Sequence, residues 1–262
     1  MTYADAHCHL QDPRLAPHLP EILRLARESG VSHVHTNAAS EADWGATAAL
    51  EAPQRPGAPA IRVSFGIHLW HAADAAPGWP DRLRALLLAH PRAGVGESGL
   101  DGSLPGGIAP AQWTAFRAQW DLSVNLRRPI SLHGRGAWTP LLGFILSQPP
   151  HPAGVLLHAY GGPTDVLPAL AEKNVYISLG GSITRPGNQR ARRILAAVHP
   201  GRFLLETDAP DIPPTLPPGT PPAFFDAARR PLSHPAQIPY LSSFLPPHLL
   251  PSLLPAFLSL FP

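Results

Sequence analysis

A (β/α)8 TIM barrel, with a long proline-rich loop after its last strand, is the fold this sequence predicts, and three observations predict it. Short β-prone runs alternate with helical runs about eight times over the first 210 positions. No break in composition marks a second domain, and 262 residues is an ordinary length for one such barrel, so residues 1–262 read as a single domain. No Gly-x-Gly-x-x-Gly follows the first strand, which disfavours the competing open, doubly wound sheet.

Thr2–His9 reads as the first strand, with Asp5, His7 and His9 on one face and Ala6 and Cys8 on the other. Pro20–Ser29 places Ile22, Leu23, Leu25 and Ala26 at helical spacing, and Gly30 stops it. Val31–Thr36 is the next strand, and Glu41–Glu51 is helical before a Pro/Gly loop. Ile61–Phe65 alternates as a strand, Trp79–Ala89 is a helix, and Ala93–Glu97 is a brief strand. Ala109–Leu126 is a long amphipathic helix whose Trp113, Phe116 and Trp120 belong to the core. Pro129–His133, Ala153–His158, Val175–Leu179 and Arg202–Glu206 are the remaining strands. Between them lie helices over Trp138–Ser147, Thr164–Glu172 and Gln189–Val198. Asp211–Pro247 is dense in proline and poor in periodicity, a loop expected over the catalytic face of the barrel. His248–Phe261 is the last helix, which Pro251 and Pro255 would shorten or kink.

Composition narrows the function. A hydrophobic fraction of 44% with 15% charged residues describes a soluble globular protein. A net charge of +2 excludes a broad basic surface that wraps nucleic acid, though not the binding of a strand end. The one cysteine cannot form an internal disulfide, and no apolar run reaches the roughly 18 residues of a membrane span, so the expected location is cytoplasmic. The 35 prolines and a lone lysine, Lys173, reflect compositional bias rather than function.

The chemistry gathers at the strand ends. His7 and His9 end the first strand, Glu97 the fourth, His133 the fifth and His158 the sixth, and Asp208 follows the eighth. In a barrel these ends converge on one mouth. Four histidines and two carboxylates there would bury unpartnered polar groups unless a cation satisfied them. An imidazole and carboxylate set without thiolates suits Zn, Mn or a similar divalent ion, possibly two with one carboxylate bridging.

Asp5-Ala6-His7-Cys8-His9, Gly66-Ile67-His68, Gly96-Glu97-Ser98-Gly99-Leu100-Asp101, His133-Gly134-Arg135-Gly136-Ala137, His158-Ala159-Tyr160-Gly161-Gly162 and Glu206-Thr207-Asp208-Ala209-Pro210 follow one another in a telling order. In that order and spacing the chain resembles the TatD family, metal-dependent deoxyribonucleases of the amidohydrolase-like barrel superfamily. The resemblance implies a hydrolase cleaving phosphodiester bonds of DNA, single-stranded or at a strand end, with two divalent metal ions (Zn, Mn or Mg) and no obligate protein partner. It implies that His7, His9, Glu97 and Asp208 hold one ion, and that Glu97, His133 and His158 hold the second. Asp208 would take the proton of the attacking water, Arg135 would pair with a phosphate oxygen, and His68 would touch the same phosphate or protonate the leaving oxygen. The plainer readings are a surface salt bridge for Arg135 and a rim hydrogen bond for His68.

The chain departs from the family around these residues. Leu69 stands where the family has Pro, Gly136 replaces an Asp, Ser233-His234-Pro235 replaces Asn-Glu-Pro, and Ala256 replaces an Asn. Glu206 and Asp5 are expected to orient ligand histidines, and Cys8 to be a small core residue. Trp70 and Trp138 are candidates to stack on a base, against the plainer expectation that they wall the pocket. Arg190, Arg192 and Arg193 form a basic helix face expected to be solvated. Two alternatives stay open: a small ester, amide or phosphate as substrate, and a descendant that binds metal or nucleic acid without turnover. Lys173, before the seventh strand, is not placed to serve as a bridging carboxylated lysine, which leaves Glu97 for that position.

Overall fold

The eight β-prone runs pair in parallel and in chain order. The computed structural model describes residues 1–51, 58–220 and 223–262. The strands are β1 (Tyr3–Cys8), β2 (Val31–Asn37), β3 (Ala60–Phe65), β4 (Gly94–Gly99), β5 (Ile130–His133), β6 (Val155–Leu157), β7 (Val175–Leu179) and β8 (Phe203–Leu205). Around them lie α1 (Leu19–Glu28), α2 (Trp44–Leu50), α3 (Trp79–Ala89), α4 (Pro110–Asn125), α5 (Trp138–Ser147), α6 (Leu167–Glu172), α7 (Gln189–Ala197), α8 (Ile238–Ser242) and α9 (Leu253–Leu260). Prolines set several helix starts. Those in the first turns of α1, α3, α4 and α6 lack an N–H that would be unbonded there anyway. This is why α6 begins at Leu167, beside Pro168, rather than at Thr164.

Side-chain alternation divides the core in two. Val155, Leu157, Val175, Ile177, Phe203 and Leu205 face the helices, while Leu156, Tyr176 and Leu204 belong to a separate interior cluster. Ala4, Ala6, Phe257, Leu260 and Phe261 complete that cluster. Phe257 lies against His33, Phe261 stacks on His35 at 3.7 Å, and Arg62 Nε donates to the Pro262 carbonyl. α9 therefore plugs the end of the barrel where the strands begin, leaving the opposite end for chemistry. Ala256, at the position of a family Asn, is buried in this plug, far from that end. Pro251 sits in a 3-10 turn, Pro247–Ser252, so the helix is confined to 253–260.

The β8–β1 seam is bridged by Asp208 N–H donating to the His7 carbonyl (2.9 Å) and His9 N–H to that of Ala209 (2.7 Å). The buried Asp5 carboxylate accepts from Thr207 N (2.9 Å) and from the Thr207 hydroxyl. The proline-rich stretch, expected as a loop over the catalytic face, is in part a structured element beside the seam. It holds a 3-10 turn at Pro235–Gln237 and then α8, which pack against α1, β1 and β8 on the outside of the seam. Ser233 pins it by donating to the Thr207 carbonyl at 3.0 Å. The Pro/Gly loop expected after Glu51, and positions 221–222 of the proline-rich stretch, lie outside the described residues. Among the described residues, no helix is long and apolar enough to cross a membrane.

Because Phe257 is fully buried in the plug, Phe257→Ala should lower stability by about 3–5 kcal/mol. The midpoint of urea unfolding measures this.

Candidate active site

Simple alternation would not aim the key residues correctly, and two register irregularities correct it. In β1 one shift lies between Tyr3 and Ala4, and the one that matters here falls between Asp5 and Cys8. Ala4 and Ala6 lie in the interior cluster, yet Cys8 packs outward and His7 and His9 turn into the mouth. Asp5 is thereby separated from the His pair. It bonds the β8 side and the His7 amide (3.3 Å) instead of orienting an imidazole, which corrects the expectation that the three share a face. In β4 the irregularity falls between Val95 and Ser98. Ser98 bonds outward to Gln119 of α4 at 2.9 Å, and Glu97 points inward. Bulges of this kind often re-aim a side chain beside a site. Gly66 makes room for this arrangement, since a Cβ there would lie 2.7 Å from both the Gln119 Oε1 and the Gly96 carbonyl carbon.

Glu97 is the centre of the site. Its Oε2 lies 3.3 Å from His7 Nε2 and 3.1 Å from His9 Nε2. Its Oε1 lies 2.8 Å from His158 Nε2, and 3.3 Å from both His68 Nε2 and His133 Nδ1. Asp208 Oδ1 stands 3.8 Å from both His7 Nε2 and His9 Nε2. Asp208 reaches this position with φ of +52°, in the left-handed region that Asp tolerates better than most residues. The structure thus brings together all six expected ligand residues and adds His68 to the ring around Oε1. His158 stacks on His7 at 3.9 Å, so it borders both sets.

Three groupings of donor atoms could hold a metal ion: His7, His9 and Asp208; His7, Glu97 and His158; and His68, Glu97 and His133. Donors about 2.1 Å from one ion are about 3.0–3.5 Å apart in octahedral or tetrahedral geometry. The 3.1 and 3.3 Å separations of Glu97 from His9 and His7 fall in that range, and the 3.8 Å separations of Asp208 from the same two rings lie just above it. His7 Nε2 is buried without a hydrogen bond although Glu97 is near, as expected of two groups facing a common third partner.

Hydrogen bonds behind the rings fix which nitrogen faces inward. His9 Nδ1 is 2.8 Å from the Asn37 carbonyl, which can only accept, so Nδ1 carries a proton and it is Nε2, turned toward Glu97, that would offer a lone pair in the neutral ring. His133 turns Nε2 toward Asp101 Oδ2 (3.6 Å) and Nδ1 toward Glu97. His7 Nδ1 lies 2.8 Å from Ser131 Oγ and 3.1 Å from the Asn37 amide nitrogen. His68 is the exception. Its Nδ1 accepts from Trp70 N–H (3.3 Å), so the neutral ring carries its proton on Nε2, aimed into the mouth. Glu206 accepts from Ala159 N–H at 2.8 Å and from the Ser178 hydroxyl, and stands 3.8 Å from His158 Nδ1. Sequence reading overlooked Asn37, Ser131, Ser178 and Gln119. They carry no motif of their own, and only the stacking of neighbouring strands reveals them.

The electrostatics follow from burial without Lys or Arg partners. Burial alone would push Glu97 up, but the charges of His158 and His68 and its hydrogen bonds to His133 and His158 hold it well below the carboxylate range. Burial works against a charge on His9, yet Glu97 and Asp208 outweigh it and raise that ring to about 9. Burial, followed by the charge of His158, holds His7 well below the usual range, and burial also lowers His68. Burial pushes Asp208 up to about 7 against the opposing charge of His158. Acids and imidazoles balance one another here, which is the environment a divalent cation would replace.

At the rim, Arg135 is exposed, with no carboxylate of the described residues within ion-pair distance. Against the upward push of burial, the Ser103 hydrogen bonds and the charges of His133 and Arg135 hold Asp101 below its usual range. Trp138 packs on Tyr160 (4.7 Å) and against Gly134, where a Cβ would meet its ring at 2.5 Å. Trp70 is 59% exposed beside His68.

Known proteins resemble this chain over most of its length. A family model described as "TatD related DNase" matches residues 4–245. The metal-dependent hydrolase YabD of Bacillus subtilis is 25% identical over 213 residues, covering 80% of this chain and 81% of that protein. The "3'-5' ssDNA/RNA exonuclease TatD" of Erwinia tasmaniensis is 28% identical over 211 residues, 79% of each chain. The crystal structure of YJJV, a TatD homolog from Escherichia coli, superposes with a TM-score of 0.83 at 24% identity, covering 99% of this chain and 97% of that one. With the family model spanning nearly the whole barrel, the chain belongs to the TatD-related DNase family.

Proposed function

We propose that this protein is a metal-dependent phosphodiesterase that shortens single-stranded DNA from an end. The split of Glu97's two oxygens between two sets of imidazoles carries the reading. His7, His9, Asp208 and Glu97 Oε2 would hold one divalent ion, and Glu97 Oε1, with His158 at 2.8 Å and His133 at 3.3 Å, a second, with Zn, Mn and Mg as candidates. The relatives whose names specify an ssDNA/RNA exonuclease support a nucleic-acid strand as substrate. The buried single cysteine suits a reducing, cytoplasmic setting.

When bound, divalent ions supply Lewis-acid polarisation of the phosphoryl group and a more acidic water. The chain's own residues do the rest. Asp208 lies at the edge of the mouth with its carboxylate turned inward, placed to accept the proton of an attacking water. His68, neutral through burial, presents its Nε2 proton to a phosphate or leaving oxygen. Arg135, exposed two residues beyond His133, is free to pair with a non-bridging phosphate oxygen. Ser131 and the Asn37 carbonyl hold the His7 and His9 rings in the orientation that a cation needs.

End-labelled single-stranded DNA with added Mn²⁺ should be shortened by the wild type and spared after chelation. Asp208→Asn should lower kcat/KM by roughly 10²–10⁴-fold. No cleavage of DNA, with turnover of nitrophenyl esters or phosphates instead, would replace this reading with a small-molecule hydrolase. Saturating cation should raise stability by about 2.7 kcal/mol at a hundred times its Kd. Glu97→Gln should abolish most of that shift, measured as a melting temperature. Ser131→Ala, which removes only the hydroxyl behind His7, should weaken cation affinity by roughly 10–100-fold in a chelator competition.

A further inference from the structure

Six tryptophans are present, and one breaks the pattern of the others. Trp44 and Trp120 are buried, and Trp79, Trp113 and Trp138 pack against the core. Trp70, in the short 3-10 turn Leu69–His71 after β3, is 59% exposed. An indole is among the costliest side chains to leave in water, and this one is fixed rather than free. Its amide donates to His68 Nδ1, its ring meets the His68 ring edge-on at 4.5 Å, and its centre lies 6.5 Å from that of His133. It is therefore tied to His68 and lies beside His133, two of the three imidazoles around Glu97 Oε1, within the span of a single nucleotide.

We infer that Trp70 is the platform on which the terminal base of the substrate strand stacks while its phosphate lies at the Glu97–His133 side of the mouth. This inference rests on the nuclease reading above and names the part of the substrate that the reading leaves open. An indole face can take an unpaired base, whereas a base inside a duplex already has both faces covered and must be unstacked first. Trp70 thus selects a single-stranded end. Because every base has a π-face, the selection tolerates sequence and does not read the sugar. Trp138, the other aromatic beside a mouth motif, has its ring engaged by Gly134 and Tyr160 and is excluded from this role. Leu69, at the position of the family's Pro, is buried beneath the turn and anchors it.

The test compares Mn²⁺-supported digestion of two strands that differ only at the attacked end, one with a normal terminal nucleotide and one with an abasic residue. The wild type should prefer the base-bearing end. Trp70→Ala should lower kcat/KM on that strand by roughly 5- to 150-fold, mainly through KM, and collapse the preference. Trp70→Phe should restore most of it. An unchanged melting temperature for both variants confirms folding, as expected for an exposed side chain. Equal cleavage of the two ends by the wild type, or a preference that survives in Trp70→Ala, would overturn the stacking assignment while leaving the nuclease reading intact. No cleavage of either strand by the wild type would remove both.

Discussion

One buried carboxylate organises this molecule. Glu97 meets imidazoles from β1, β5 and the ends of β3 and β6, and among the described residues no Lys or Arg pairs with it. A lone ionised carboxylate at that depth would be prohibitively costly. Its two oxygens therefore divide the surrounding nitrogens into two sets. Every other feature of the mouth, from the Asn37 carbonyl behind His9 to the Glu206 carboxylate near His158, keeps those nitrogens pointed at it.

The barrel serves this carboxylate through its irregularities as much as through its regularity. Perfect alternation would send Glu97 toward α4 and leave Ser98 facing the mouth. The slip in β4 exchanges them, and the slip in β1 does the same for His7 and Cys8. Gln119 braces the altered edge. Its carboxamide donates to the Ile67 carbonyl and accepts from the Ile67 amide, joining α4 to the segment that carries His68. The opposite, N-terminal end of the barrel is filled by α9.

The departures from the family have physical explanations in part. Gly136, at the position of the family Asp, adopts φ of +62°, and a Cβ there would lie 2.9 Å from Ser103 N. The loops after β4 and β5 are pressed together at this point, and Asp101 approaches His133 from the same loop. His234, in the altered Asn-Glu-Pro region, is buried and pushed down to about 4 by that burial. It packs on Phe224 at 4.9 Å, outside the donor groupings of the mouth.

Much of the architecture was legible in the residues themselves. Helical spacing, β-prone runs and prolines in first turns determined eight strand–helix units, and α3, α5 and β7 run between the expected residues. Chemically distinctive side chains at strand ends determined the six ligand candidates, because His, Glu and Asp at such positions need partners. What the sequence could not show was set by neighbours across strands. The register slips that aim Glu97 and His7, the recruitment of Asp5 to the β8 seam, and the supporting roles of Asn37, Ser131 and Gln119 depend on residues 30 to 200 positions apart. The folding of the proline-rich stretch into α8 was hidden for the same reason: its apolar face packs against β1, β8 and the turn after β7, all distant in sequence. Local sequence determines what an element is and which groups it carries. Tertiary packing decides which way they point, because alternation holds only until a neighbouring strand forces it to slip.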